Sequence, residues 1–254
     1  MGMTGDGVND VLALKEADCS VAMQSGSEAA RNVSNLVLLD SNFASMPLVV
    51  AEGRRSINNL QRSATLFLSK TVYSFILALV FVFIQLPFLF EPIQMTLVNA
   101  LCIGAPSFLL ALQPNKDIIR GSFIGNVMQR ALPNGITTVL AMIAALVCSG
   151  HFGFTTAQMS TLATVVLAAI SFMITARCCH PVRSWKIAML AILIAAFTVG
   201  SMLFPWFFVM VAFEREMTAC AVIISASALG VIIGLSAVIR KIAEALRRKD
   251  INNG

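Results

Sequence analysis

A chain of 254 residues that is 57% hydrophobic and only 12% charged is excluded from the ordinary soluble domains, in which about 25% of residues are charged. The net charge of +5 would suit nucleic acid, but Lys and Arg cluster between long apolar runs, which is the pattern of membrane topology. No nucleic-acid partner is therefore expected.

In chain order, the first 60 residues are polar and turn-rich and do not read as a cleavable leader. Met1-Gly2 is no acylation signal either, because Asp6 stands where that signal needs Ser or Thr. The string MTGDGVNDVLALKEAD begins at Met3, and its Gly-Asp-Gly turn sits between a strand and a helical stretch after Asp10. Such a turn places Asp6 at the carboxyl edge of a sheet, where α/β proteins bind ligands. Gly5 and Gly7 would let the backbone turn sharply and approach a ligand. Asp6 and Asp10, one helical turn apart, could face one crevice, and hard oxygens held this way suit Mg²⁺ beside a phosphoryl group. Thr4 and Asn9 could orient oxygens there. Taken alone, Gly-Asp-Gly also reads as an ordinary glycine turn with Asp10 capping a helix.

Cys19–Met23 and residues 36–40 are short apolar runs that suit buried parallel strands, and Ser27–Val33 reads as a further helix. Alternating strand and helix predicts an α/β segment, too short here to make a doubly wound domain. From Ala64 onward, six apolar stretches are each long enough to span a bilayer: 64–86, 93–113, 131–150, 157–177, 184–204 and 217–239. The predicted fold is a six-helix polytopic membrane bundle behind a partial N-terminal α/β segment.

Basic residues fall in alternate connections. Arg54, Arg55 and Arg62 precede the first span, and Lys116, Arg120 and Arg130 follow the second. Arg177, Arg183 and Lys186 follow the fourth, and Arg240, Lys241, Arg247, Arg248 and Lys249 end the chain. The positive-inside rule then makes both termini and the acidic turn cytoplasmic. The six cysteines (Cys19, Cys102, Cys148, Cys178, Cys179, Cys220) lack metal-ligand spacing, and neither a disulfide nor a metal is expected from them. His151, Trp185 and Trp206 lie at span ends and read as interfacial residues.

Inside the spans, Lys70 is the one charge and is either functional or snorkelling toward the cytoplasmic edge. Pro106, in Gly104-Ala-Pro106, is expected to interrupt the second span and free backbone carbonyls near mid-membrane. Thr71, Ser74 and Asn99 are neutral oxygen donors beside that path.

The string TGDGVNDVLALKEAD closely resembles the hinge motif of the P-type ATPases, which form an aspartyl-phosphate on a haloacid-dehalogenase-like domain. The likeness continues through ADCSVAMQSGSEAARNVSNLVLLDSNFASMPLVVAEGRR and, by layout, across the later spans. It implies that Asp6 coordinates a catalytic Mg²⁺, that Asn9 and Asp10 position the phosphate and the metal's waters, and that Thr4-Gly5 belongs to a phosphate cradle. It also implies a division into the end of the phosphorylation domain (1–45), a cytoplasmic stalk (46–63), the membrane domain (64–240) and a basic tail (241–254). The family's Asp-Lys-Thr-Gly-Thr nucleophile motif occurs nowhere in the chain. The resemblance therefore implies the C-terminal part of a type II-like cation pump, inactive alone, that draws on ATP once the missing N-terminal part is present.

In the segment VNALCIGAP, Asn99 matches an ion-binding Asn of calcium pumps, while Cys102 and Ile103 replace their Thr and Asp. Thr71 and Ser74 stand where those pumps carry Asn and Glu. Lys70 matches a lysine that proton-pumping relatives use as an internal counter-cation. The acidic ligands are gone, which weakens a high-affinity calcium site. Membrane lipid and a transported cation are the expected partners, and a bacterial plasma membrane the expected location. A lipid- or polyamine-transporting pump and a non-catalytic membrane remnant stay open as alternatives.

Overall fold

The structure, a computed structural model, describes residues 1–83, 89–119, 121–179 and 184–253, with side chains described up to residue 245. The end of the first predicted span at residue 86 lies outside the described residues, as do Arg120, Arg183 and the side chains of Arg247, Arg248 and Lys249. The chain divides into two compact units, Met1–Arg55 and Ser56–Gly254.

The first unit is a small α/β segment. Strand β1 (Gly2–Gly5) leads through a single 3-10 turn, Val8–Asp10, into helix α1 (Val11–Glu16). Strand β2 (Cys19–Met23), helix α2 (Glu28–Val33) and strand β3 (Leu36–Leu38) follow. The three strands are parallel in the order β1-β2-β3, with Gly5 opposite Ala22 and Met23 opposite Leu38. Strands of this kind need crossovers, and the two short helices provide them. Ser27 caps α2 by accepting from the Ala30 amide at 3.2 Å. Leu14, Ala22 and Ala30 form the core, with Met3 and Val33 against it. Leu12 and Leu39 stay largely exposed.

Past β3, Asp40 accepts the Ser45 hydroxyl and the Asn42 amide. These hydrogen bonds, the Ser45 hydroxyl first, hold the Asp40 carboxyl below its ordinary value of 3.8. Helix α3 (Met46–Phe83) then runs for 38 residues. Its first half is too polar to be found by hydropathy.

In the second unit the remaining helices are α4 (Pro92–Val98), a π-helical stretch at Asn99–Gly104, α5 (Ala105–Ala111), α6 (Phe123–Phe152), α7 (Thr156–Cys178), α8 (Ser184–Leu203) and α9 (Arg215–Asn253). Counting α4 to α5 as one, six helices among the described residues are long and apolar enough to cross a membrane. The six predicted spans coincide with them, though α6 begins eight residues before its expected start at 131. Helix α7 is central: 78% of its most apolar window is buried, against 22% for α8 and 17% for α9. Helices α6, α7 and α9 pack most extensively on one another.

Two features differ from the sequence reading. Pro106 does not break the second span, because the backbone passes from α-helix to π-helix and back without leaving helical form. The proline nitrogen has no hydrogen to give. The Cys102 carbonyl, four residues earlier, lies 3.3 Å from the Thr175 hydroxyl of α7, which lies 2.9 Å from the Ser171 carbonyl of its own helix. Lys186, read as a loop charge, is 1% exposed in the first turn of α8. Its ammonium donates to the Cys179 carbonyl at 2.7 Å, just past the end of α7, where a helix dipole favours a cation.

Candidate functional site

The acidic turn is built by close packing of backbone. The Gly7 amide donates to Asp10 Oδ2 at 3.1 Å, and the Asp10 amide returns a bond to the Gly7 carbonyl at 3.3 Å. Asp10 therefore braces the turn before α1 and makes no side-chain cap to that helix. A Cβ on Gly5 would lie 2.7 Å from the Asp10 Cβ, so glycine is required there by the neighbouring carboxylate. Gly7 has an ordinary extended conformation, φ −90° and ψ 162°. From the far side, the Ser27 amide donates to the Asp6 carbonyl at 2.7 Å. A Cβ on Gly26 would meet that same carbonyl oxygen at 2.8 Å. Gly26 and Ser27 were not read from the sequence as parts of this turn, although a Ser-Gly-Ser loop facing Gly-Asp-Gly is a signal that could have been used.

The result is a turn pinned on both sides, with the side chains of Thr4, Asp6 and Asn9 exposed and that of Asp10 half-buried. No cluster of three or more His, Cys, Asp or Glu side chains occurs among the described residues. A metal here would rest on Asp6 and on the Asp10 oxygen that Gly7 does not occupy, with water or phosphate oxygens completing its shell. That donor set fits Mg²⁺, a hard cation that keeps several waters and takes one or two carboxylates.

In the second unit, a cavity of about 290 Å³ is lined by Lys70, Tyr73, Ser74, Leu77, Ala78, Phe81, Phe90, Met95 and Asn99. It brings together Lys70, Ser74 and Asn99, which sequence reasoning had placed on one path. Asn99 sits on the π-helical stretch, and its Oδ1 is buried with no hydrogen-bond partner among the described residues. Thr71 is exposed and does not line this cavity; its hydroxyl donates to the Phe67 carbonyl at 3.1 Å. Cys102 is fully buried in a separate, much smaller void that Lys70 also reaches, with Ser69 and Ser171. Pro106 is buried. Among the described residues, no carboxylate lines either space.

The polar groups that tie the bundle together were not singled out from the sequence. Gln94, at 0% exposure, accepts the Thr164 hydroxyl at 2.8 Å and donates to the Val209 carbonyl at 3.0 Å. Asn134 donates to the Ser69 hydroxyl at 3.2 Å. A search for amide side chains inside apolar runs would have found both, since such groups need partners in hydrocarbon.

No family model matches the chain. Over 211 residues it is 37% identical to a probable cation-transporting ATPase of Streptococcus pneumoniae, covering 80% of this chain and 27% of that protein. It is 41% identical over 205 residues to the calcium-transporting ATPase CtpE of Mycolicibacterium smegmatis, covering 75% and 26%. It is 40% identical over 203 residues to CtpE of Mycobacterium tuberculosis, covering 74% and 26%. With this similarity added to the acidic turn and the six apolar helices, the chain belongs to the P-type ATPases. It spans about a quarter of the length of these relatives.

Proposed function

We propose that this chain supplies the phosphate-site hinge and the last six membrane helices of an ATP-driven cation pump, and that alone it does not hydrolyse ATP. The observation that carries the reading is the doubly pinned turn, which holds Asp6 exposed beyond the end of β1. Parallel sheets are normally covered on both faces, and the exposed Leu12 and Leu39 suit a three-stranded piece of a larger α/β domain.

In the pump, Asp6 and Asp10 would hold Mg²⁺, which neutralises charge on the transferring phosphoryl group. The exposed Asn9 amide would donate to a phosphoryl oxygen, with Thr4 and Gly5 beside it. Asp10 would serve twice, once toward the metal and once through Gly7 in fixing the turn. Helix α3 runs from Met46 to Phe83 and carries Lys70 and Ser74. The boundaries 1–45, 46–63, 64–240 and 241–254 remain our reading of phosphorylation domain, stalk, membrane domain and tail. Both termini would be cytoplasmic, in a bacterial plasma membrane.

At the membrane, the cargo would be a cation held by neutral oxygens, Asn99 Oδ1 foremost among them. The cavity holds a lysine and no carboxylate. Lys70 would then act as a counter-cation that refills the space once the ion has left, and carboxylate-assisted calcium binding would need helices beyond this chain.

The test is a chimera in which this chain replaces the matching segment of the Mycolicibacterium smegmatis pump. Its Mg²⁺-dependent phosphoenzyme turnover and its vesicle uptake of Ca²⁺, Mn²⁺, Na⁺ and K⁺ would be measured. Asp6→Ala should slow turnover by about a hundredfold or more, the scale of losing a ligand to a charge-neutralising metal. Normal formation and breakdown of the phosphoenzyme in both Asp6→Ala and Asp10→Ala would overturn the assignment.

A further inference from the structure

A further cavity in the second unit plays no part in the reading above. It has a volume of about 810 Å³ and is bounded by α3, the 115–119 connection, the first turns of α6 and the last turns of α7 and α9. Four arginines line it, Arg62, Arg130, Arg177 and Arg240, against a single carboxylate, Asp117. That carboxylate forms no ion pair among the described residues.

Hydrogen bonds hold the walls in place. Arg62 is 5% exposed and donates to Gln113 Oε1 at 2.6 Å. Arg177 donates to the Ser236 hydroxyl at 2.8 Å. Asn58 donates to the Asp117 carbonyl at 2.9 Å and so fixes the connection as one rim of the cavity. A second and independent feature points to a ligand. Gln61 lines the same cavity at 8% exposure, and its amide nitrogen is buried without a hydrogen-bond partner among the described residues. A buried orphan donor is costly unless something accepts from it. Among arginines, the acceptor that satisfies it is an anion.

We propose that this cavity binds a phosphate ester. Guanidinium forks match phosphate oxygens in pairs, and the Gln61 amide adds a neutral donor at the floor. Three of the arginines are exposed at the mouth, while Arg62 is buried below them. A charged group can therefore enter from water or from the lipid headgroup layer. The volume far exceeds a bare phosphate and suits the glycerophosphate head of an anionic lipid at the membrane edge. A soluble phosphate ester presents the same chemistry. The inference stands whether or not the chain works in a pump, because it concerns the second unit alone.

The test uses the whole 254-residue chain in neutral detergent, with its thermal unfolding followed during titration. The three arms are short-chain phosphatidylglycerol, phosphatidylcholine of the same chain length, and inorganic phosphate. Stabilisation by phosphatidylglycerol but not by phosphatidylcholine or phosphate assigns the site to a lipid headgroup. Stabilisation by phosphate alone assigns it to a soluble ester. In either case Arg130→Gln and Gln61→Leu should raise the half-saturating concentration about tenfold each, the scale of one lost hydrogen bond to a charged group. Arg130 is exposed, so its variant should unfold at the native temperature when no ligand is present. Gln61→Leu removes the orphan donor and should unfold no earlier than the native chain. No stabilisation by phosphatidylglycerol or phosphate would overturn the proposal. So would stabilisation that persists undiminished in Arg130→Gln.

Discussion

Asn99 and Val209 show how single residues hold tension in the bundle. Asn99 keeps a buried carbonyl oxygen without a donor, at the edge of a cavity that Lys70 and Ser74 share. Leucine at that position would remove the orphan and fill space, so Asn99→Leu should raise the unfolding temperature, with a gain on the order of 1 kcal/mol. In the chimeric pump the same change should lower cation affinity. A destabilised Asn99→Leu would show that the oxygen already has a partner and is no ligand in waiting. Val209 is a β-branched residue at φ 53°, a backbone region that such side chains avoid. Its carbonyl accepts from Gln94, which a change of side chain leaves untouched. Val209→Gly should therefore stabilise the chain by about 1 kcal/mol, read as a higher melting temperature in detergent. Around the acidic turn, the sequence placed Asp6 and Asp10 together on the strength of spacing. It could not show that Gly5 is glycine because of Asp10, a close approach that exists only once the chain has folded back.

At the scale of elements, spans were legible wherever apolar residues ran unbroken. The polar first half of α3 and the early start of α6 were not, because hydropathy measures the membrane and not the helix. The π-helical stretch at Asn99–Gly104 has no sequence signature beyond a nearby proline, and its Cys102 carbonyl lies beside the Thr175 hydroxyl of α7. Helix contacts were equally hidden. Gly135 of α6 sits so close to α3 that an added Cβ would fall 2.4 Å from Val72 Cγ1 and 2.7 Å from Val72 Cβ. Small residues allow this approach between membrane helices. Gly135→Ala should cost about 1–3 kcal/mol in a detergent unfolding assay. Adding Val72→Ala should restore much of that loss, whereas equal loss in the double variant would mean that another contact fixes the two helices.

At the scale of the whole molecule, the proposed topology has an even number of crossings, which would return the chain to the side from which it entered, and the positive-inside rule would make that side the cytoplasm. The argument depends on charge placement alone, so it can be checked without any activity. Cys19 is exposed, while Cys102, Cys178, Cys179 and Cys220 are buried and Cys148 is only partly accessible. A membrane-impermeant maleimide should therefore label Cys19 in inside-out vesicles and leave it unmodified in right-side-out ones. A Cys148→Ala background removes the one partly accessible competitor. Arg215, exposed at the start of α9 between the fifth and sixth crossings, should behave in the opposite way when changed to cysteine. Labelling of both sites from one face would require an odd number of crossings between residues 19 and 215 to be replaced by an even one. One of the apolar helices would then lie along the membrane instead of through it. The weakest case for spanning would be the stretch from Pro92 to Ala111, the least apolar of the six, where the buried Gln94 side chain and Asn99 Oδ1 already favour protein contact over lipid.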